Sequence, residues 1–579
     1  MSDTESLTSG TDKNSSDAPP TTLDQFCEAL QDEIDEHLRA VASLRRRLNT
    51  VAPISCLPPE ILSQIFSIHL KNMDGHFSAM VYPEAAQYRW LAVTHVCHLW
   101  RQVALSTPLL WSNILVVPSN PMLMEQFLDR SKKAPLNVKV DVISDKWYPT
   151  LQRIAREGGR IEHLSWNGDG SSQQVQALQR CFPVELPLLR SLALHGNPDD
   201  ESGRYDRPVP LPLYTWSVLS LETLIISRFH IDWASMILPK TLTHLSVSQT
   251  DNRPGQPSNV TDLARAIGSL VALAVLNVRD ATHLSPSPTA FLPSPPSTFY
   301  LPSIKTFDIT GPPMSCLYLF DHLILPPTCK IMLVFPDDFL AVNMRQMARS
   351  VSPKLAHGLD RKAEELPVSS ITISSSNIQF SRSSKSSASP DEKGHLFIVL
   401  PDVLFDDGTV FREFFPHLPI HSTSSLMLLH APYVPHDLEG TLQMLSNVRD
   451  LSVIHEGPDS RALHHVLGAR PGPVADGART QPTFLLPRLE HLALFRTFFR
   501  REPSERRNKH FVLQLSKSLK QRKNSGHEIK TLAVQSCINV NETDIRQLEE
   551  HVVVNWDGKV RIEQEADMDE LTESESDTE

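Results

Sequence analysis

The residue types that could do chemistry are scattered along this chain, and their spacing argues against a reaction centre. His464 and His465 are adjacent on an expected helix, where successive side chains diverge by about 100°, so they do not form a shared metal site. Cys316 and Cys329 have no matching His or Cys pair that would complete a zinc site, and Gly168-Asp169-Gly170 lacks the spaced acids of a calcium loop. The chain contains no G-x-S-x-G elbow, no G-x-x-x-x-G-K-[ST] phosphate loop, no H-E-x-x-H and no G-x-G-x-x-G after a strand. Catalytic residues far apart in sequence leave no local motif. The expectation is nevertheless a protein that is not an enzyme and holds no cofactor or metal.

Charge and composition narrow the partners. Lys and Arg total 55 against 67 Asp and Glu, a formal charge of −12 that repels a phosphate backbone, so nucleic acid is not expected as the main ligand. The seven cysteines never form a C-x-x-C pair, which suits free thiols in a reducing compartment. Residues 1–20 are polar and Ser/Thr-rich, read as a disordered N-terminal tail, without the basic start and apolar core of a secretory signal. The most apolar run, 396–405, contains Pro401 and Asp402 and falls short of the ~20 residues a membrane helix needs. Asn259-Val-Thr and Asn541-Glu-Thr match the glycosylation pattern by chance if the chain is not exported. A cytoplasmic or nuclear protein with no membrane segment is expected.

The elements follow from hydrophobic period. Leu23, Phe26, Leu30, Ile34, Leu38, Val41 and Leu48 recur at three- and four-residue steps, with acids at Asp32, Glu33, Asp35 and Glu36 and bases at Arg45 to Arg47. That order suits a helix dipole and predicts an amphipathic helix over 21–50. Its stripe could join a second copy as a coiled coil, although packing on the chain's own next helices is the commoner outcome. Leu57-Pro58-Pro59-Glu60-Ile61-Leu62 starts a second helix, because proline fits the first turn, and Ile61, Leu62, Ile65, Phe66 and Leu70 form its apolar face. After a polar stretch over 71–87, Val93, Val96, Cys97, Trp100, Val103 and Ala104 predict a further helix, ended by Thr107-Pro108.

From Ile161 the pattern changes to strand-like triplets with the L-x-x-L-x-L spacing: Ile161/Leu164/Trp166, Leu189/Leu192/Leu194, Leu221/Leu224/Ile226, Leu242/Leu245/Val247, Leu273/Leu276/Val278, Ile304/Phe307/Ile309, Val448/Leu451/Val453, Leu489/Leu492/Leu494 and Ile529/Leu532/Val534. This spacing is the strand segment of a leucine-rich repeat, whose later apolar positions point into a shared core. Asn197 and Cys537 fall where the repeat places Asn or Cys, but seven units lack that residue and the spacing is irregular. A degenerate repeat array over 130–560 is expected, with a plain α/β domain as the alternative. Pro/Ser-rich stretches near 285–302 and 368–393 read as loops or disordered inserts. The basic stretch 500–523 reads as a solvated loop and helix face or, more sharply, a nuclear-import signal, and the acidic tail 563–579 reads as disordered.

Over 57–111 the ordered words Leu57-Pro58-Pro59-Glu60-Ile61-Leu62, Ile65-Phe66, Val96-Cys97-His98-Leu99-Trp100-Arg101, Ala104-Leu105-Ser106-Thr107-Pro108 and Leu110-Trp111 resemble the F-box of fungal, mushroom-type F-box proteins. An ordinary helical bundle with Trp in its core is the plainer alternative for the same residues. The resemblance implies a domain at 53–115 that binds the Skp-type adaptor of a cullin-RING ubiquitin ligase, with a protein substrate, not identifiable from sequence, held by the region behind it. Carried over, Leu57, Pro58, Ile61, Leu62, Ile65 and Phe66 supply the adaptor face, and Val96, Trp100 and Trp111 hold the helices together. The fold class expected is α/β, an F-box-like helical motif followed by a leucine-rich-repeat-like solenoid. The alternative function is a repeat-based interaction scaffold with no ligase connection. The stretch 71–87 separates the two helical parts by more than a compact F-box needs, although similar insertions occur in the mushroom-type relatives.

Overall fold

The computed structural model describes residues 22–74, 88–116, 121–141, 148–168, 178–182, 185–196, 216–229, 231, 233–234, 236–248, 260–280, 298–326, 328–336, 341–356, 367–382, 395–429, 435–454, 462–470, 483–500 and 510–562. The expected N-terminal tail, most of 71–87, most of 285–302, the end of 368–393, Asn197, the acidic tail and much of the basic stretch lie outside them. The chain divides into two units, Met1–Leu136 and Asn137–Glu579.

The first unit is mainly helical. Its long helix α1 (Thr22–Thr50) covers the predicted amphipathic segment, and α2 (Pro59–Asp74) begins at the double proline. Short helices follow at Val93–Val96 and His98–Ser106, then a 3-10 turn at Pro108–Trp111, strand β1 (Asn113–Val116) and a helix at Pro121–Ser131. The core contains Leu62, Phe66, Trp90, Val103, Leu110, Trp111 and Phe127. The apolar stripe of α1 does not join that core. Leu23, Leu30, Ile34, Val41, Leu44 and Leu48 are all exposed, contrary to the commoner outcome of packing on the chain's own helices.

Strand β2 (Leu136–Asp141) spans the boundary in sequence, and the second unit is built on a large, mostly parallel sheet. Its strands are β3 (Ile161–Gly168), β4 (Ser191–Gly196), β5 (Thr223–Ser227), β6 (His244–Ser248), β7 (Val275–Arg279), β8 (Phe299–Tyr300), β9 (Thr306–Thr310), β10 (Leu323–Ile324), β11 (Lys330–Val334), β12 (Val368–Ile373), β13 (Asn377–Arg382), β14 (His395–Val399), β15 (Ser425–Leu429), β16 (Asp450–Ile454), β17 (His491–Phe495), β18 (Thr531–Gln535) and β19 (Val553–Trp556); of these, β8 and β10 form a separate two-stranded pair. The second and third positions of all nine predicted triplets fall on strands of the large sheet. Second positions pair across neighbouring strands, Leu164 with Leu192, Leu224, Leu245, Leu276 and Phe307 in turn, and the third positions run Trp166, Leu194, Ile226, Val247, Val278 and Ile309 beside them. Every residue in both columns is buried. A one-residue slip in any strand would turn its apolar set to solvent, so burial holds the register.

The ladder continues from β9 to β11 and from β11 to β14, all parallel. There a reversed strand intervenes, because β13 pairs antiparallel with both β14 and β12 before β12 joins β15 in parallel. Parallel pairing then resumes from β15 through β19. The Ser-rich stretch expected to be a loop is therefore a hairpin over β12 and β13. Alternation explains it: Ile371, Ile373, Ile378 and Phe380 are buried while Ser370, Gln379 and Ser381 occupy the other face, so a Ser-rich segment still presents one apolar side. Strands β11 and β15 extend the two columns, through half-buried Ile331 and buried Leu333, and through buried Leu426 and Leu428.

Two features recur at the strand ends. A backbone turn precedes many strands, with Leu189 N–H donating to Leu186, Leu221 to Val218, Leu242 to Pro239, Leu273 to Leu270 and Leu489 to Leu486. Directly after β5, β7, β17 and β18 stand Arg228, Asp280, Arg496 and Ser536, each with positive φ. A left-handed conformation costs a non-glycine residue roughly 1–2 kcal/mol, so its return at one position marks a shared backbone path. Between strands, helices at Val260–Gly268, Pro313–His322, Ala341–Ala356, Pro435–Met444, Ala462–Leu467, His510–Asn524 and Glu542–Glu549 form the other layer, most of them packed on the next in chain order.

Candidate functional site

The candidate site is helix α2 with the helices packed against it in the first unit. Pro59 is its first residue, Glu60 lies in its first turn near the positive end of the dipole, and the Pro58 carbonyl accepts from the N–H groups of Ile61 and Leu62. A 3-10 turn at Pro53–Cys56 leads in.

Burial divides the six residues expected to form one adaptor face. Leu62 and Phe66 are 0% and 2% exposed and point into the core with Leu70, so they hold the fold and do not form an outer face. Ile61 and Ile65 are 40% and 39% exposed, Pro58 is exposed and Leu57 half-buried. Ile68, not anticipated, is more exposed than either and follows Ile65 by three positions. Steps of four and three keep Ile61, Ile65 and Ile68 on one side of the helix, with Leu62, Phe66 and Leu70 on the other. Sequence reading merged the two sides because both are apolar.

The three residues expected to support the helices also separate. Trp111 is buried, its Nε1–H donates to the Ala104 carbonyl at 2.8 Å, and its ring packs edge-on to Trp90 at 5.1 Å and to Phe127 at 5.0 Å. The Arg130 guanidinium lies 4.3 Å from its centroid. Trp100 is half-buried, with its ring 5.0 Å from that of Phe66. Val96 does not support the core: it is 58% exposed. The cause is Cys97, whose extended backbone (φ −158°, ψ 171°) splits the single predicted helix in two and caps the second half, its Sγ accepting from the Trp100 N–H at 3.5 Å. An unbroken helical period would have put Val96 beside Val93 and Trp100; the extended residue resets the phase. Trp90 and Phe127 are core members that sequence reading missed.

Elsewhere, Cys329 and Cys537 are buried. Burial pushes the thiol of Cys329 up to about 12 and that of Cys537 up to about 11, so both are protonated near neutrality. The Cys537 thiol donates to the Leu494 carbonyl at 3.4 Å. Among the described residues no group of three His, Cys, Asp or Glu side chains could hold a metal ion. Asn541, part of a glycosylation pattern, caps the helix Glu542–Glu549 in a reciprocal box with Asp544. Two members of the basic stretch are buried, which corrects its reading as wholly solvated. Arg500 pairs with Asp544 and donates to the Asn539 carbonyl at 2.9 Å. Arg522 is fully buried and donates to the carbonyls of Leu467 and Leu486 at 3.0 and 2.9 Å.

No helix among the described residues is long and apolar enough to cross a membrane. A search of curated proteins finds no match to the chain. Residues 54–116 match the family model described as F-box-like, and this span takes in α2, the Cys97 break and the Trp111 cluster. The chain thus carries an F-box-like domain, a kind of domain that in general joins its protein to a ubiquitin ligase.

Proposed function

We propose that this chain is a non-catalytic substrate receptor that links a target protein to a Skp-cullin-type ubiquitin ligase, working in the cytosol or the nucleus. The observation that carries the reading is the F-box-like match at 54–116 combined with an outward apolar row, Ile61, Ile65 and Ile68, on a helix whose other side is fully engaged in the core. Isolated exposed apolar residues need no explanation, but a helical row beside exposed Pro58 suits a docking face. Catalysis then belongs to other subunits, and this chain contributes proximity between target and transferring enzyme.

The second unit is read as a degenerate leucine-rich-repeat-like solenoid, interrupted by the β12 to β14 meander. The in-register buried columns and the recurring turns support that reading. Target recognition would then fall to the open sheet face, where Ser165, Ala193, Ile225, Ser246 and Asn277 stand side by side across β3 to β7. Apart from Ile225 these side chains are small or polar, and all five are half-buried.

The test is co-purification with the Skp-type adaptor. Ile61→Asp with Ile65→Asp should abolish capture while leaving the fold intact, since neither residue is in the core. Retained capture by this double variant would remove the assigned face. A correctly folded wild-type chain that captures no adaptor would favour the scaffold with no ligase connection.

A further inference from the structure

The stripe left open on α1 has a pattern that selects its occupant. Leu23, Leu30, His37 and Leu44 recur every seven residues, as do Cys27, Ile34, Val41 and Leu48, and together they alternate steps of four and three. This is a heptad seam sustained along a helix of 29 residues, which is about 44 Å long. All eight side chains are exposed, including Cys27 and His37. The seam also reads nearly the same from either end. Laid antiparallel on a second copy, it brings Leu23 to Leu48, Cys27 to Leu44, Leu30 to Val41 and Ile34 to His37, so six of the eight seam positions in each copy contribute an aliphatic side chain.

Charge separates the two possible directions. The first half of the helix holds Asp24, Glu28, Asp32, Glu33, Asp35 and Glu36 and no base; the second half holds Arg39, Arg45, Arg46 and Arg47 and no acid. A parallel pair lays six acids along six and four arginines along four, on axes roughly 8–10 Å apart, within about one Debye length at physiological salt. An antiparallel pair lays the acidic half along the basic half and opposes the two helix dipoles. Asp35 and Glu36 sit at the midpoint, where both arrangements bring them together, and so do not discriminate. We propose that α1 is a homodimerisation helix, which pairs antiparallel with α1 of a second copy of this chain. The inference stands on α1 alone and is independent of the ligase reading.

Light scattering on the full chain should give twice the 65.0 kDa of one chain at micromolar concentration. Arg45→Glu with Arg46→Glu and Arg47→Glu should return a monomer, and so should Glu28→Lys with Asp32→Lys; mixing the two variants should restore a dimer containing one of each. Direction is read by Leu44→Cys. Cys27 and position 44 of one helix are about 25 Å apart, beyond the roughly 7 Å Cα limit of a disulfide. A link between Cys27 and the thiol introduced at position 44, found by peptide mapping, must therefore join two chains. That link is expected. A wild-type monomer, a dimer untouched by the charge changes, or a Cys27 to Cys27 link in its place would each overturn the proposal.

Discussion

Helix α2 offers a contrast between neighbouring residues that tests the division of its surface. Leu62 and Phe66 are fully enclosed, whereas Ile61 and Ile65 keep about two-fifths of their surface in water. Leu62→Ala removes three carbons from a site with no room to relax outward, and buried Leu→Ala changes cost about 2–5 kcal/mol through lost transfer energy plus the cavity. Phe66→Ala adds the loss of its ring contact with Trp100, 5.0 Å away, and falls near 3–5 kcal/mol. Ile61→Ala and Ile65→Ala expose no cavity and should cost below about 1 kcal/mol. The eight tryptophans are spread over both units, so bulk fluorescence would blur a change local to the first. Amide hydrogen exchange across α2 and His98–Ser106 resolves it, because protection reports the local opening free energy. A loss of about 3 kcal/mol accelerates exchange roughly 100-fold, against a few-fold for the outer pair. Equal acceleration for Ile65→Ala and Leu62→Ala would show that the division into inner and outer faces is wrong.

Two further expectations concern the second unit. Arg500→Met leaves the Asp544 carboxylate buried without its guanidinium, a loss of about 3–5 kcal/mol by analogy with broken buried pairs; chemical denaturation should show it, while Arg190→Met at an exposed pair changes the midpoint little, and equal effects would refute the ranking. Lys354 is buried, donates to the carbonyls of Phe320 and Leu323 at 2.5 Å for the latter, and burial lowers its ammonium from 10.5 to about 8, opposed by the nearby Asp321. Below pH 8 both folded and unfolded chains carry the proton and the cost of burying the charge is present in full. Between pH 8 and 10.5 the unfolded chain binds more protons, so stability attributable to this residue rises with pH. Relative to Lys354→Met, which shares every other titration, the wild type should gain up to about 3 kcal/mol across that window, and a flat difference would contradict it.

Local pattern carried much of the structure. The three- and four-residue steps of α1, the double proline that opens α2 and the nine strand triplets are all properties of neighbouring residues, and each became the kind of element expected, helix or strand. The F-box-like span was readable for the same reason, since its signature is an ordered string of words over 57–111. What the sequence left undecided required knowing which surfaces meet. Apolar residues on both sides of α2 look alike until packing buries Leu62 and Phe66 and leaves Ile61 and Ile65 outside. Val96 was misplaced because one extended residue, Cys97, interrupts a period that looks continuous. The Ser-rich hairpin of β12 and β13 was hidden because composition averages over two faces, while a sheet needs only one to be apolar. Arg500 and Arg522 read as solvent-facing charge, yet the distant Asp544 carboxylate and distant carbonyl groups take them into the core. Sequence by itself determined the period, and hence the kind, of most elements. Only the tertiary structure decided which side of each faces protein, because burial is a property of what lies opposite in space and not of what lies next in the chain.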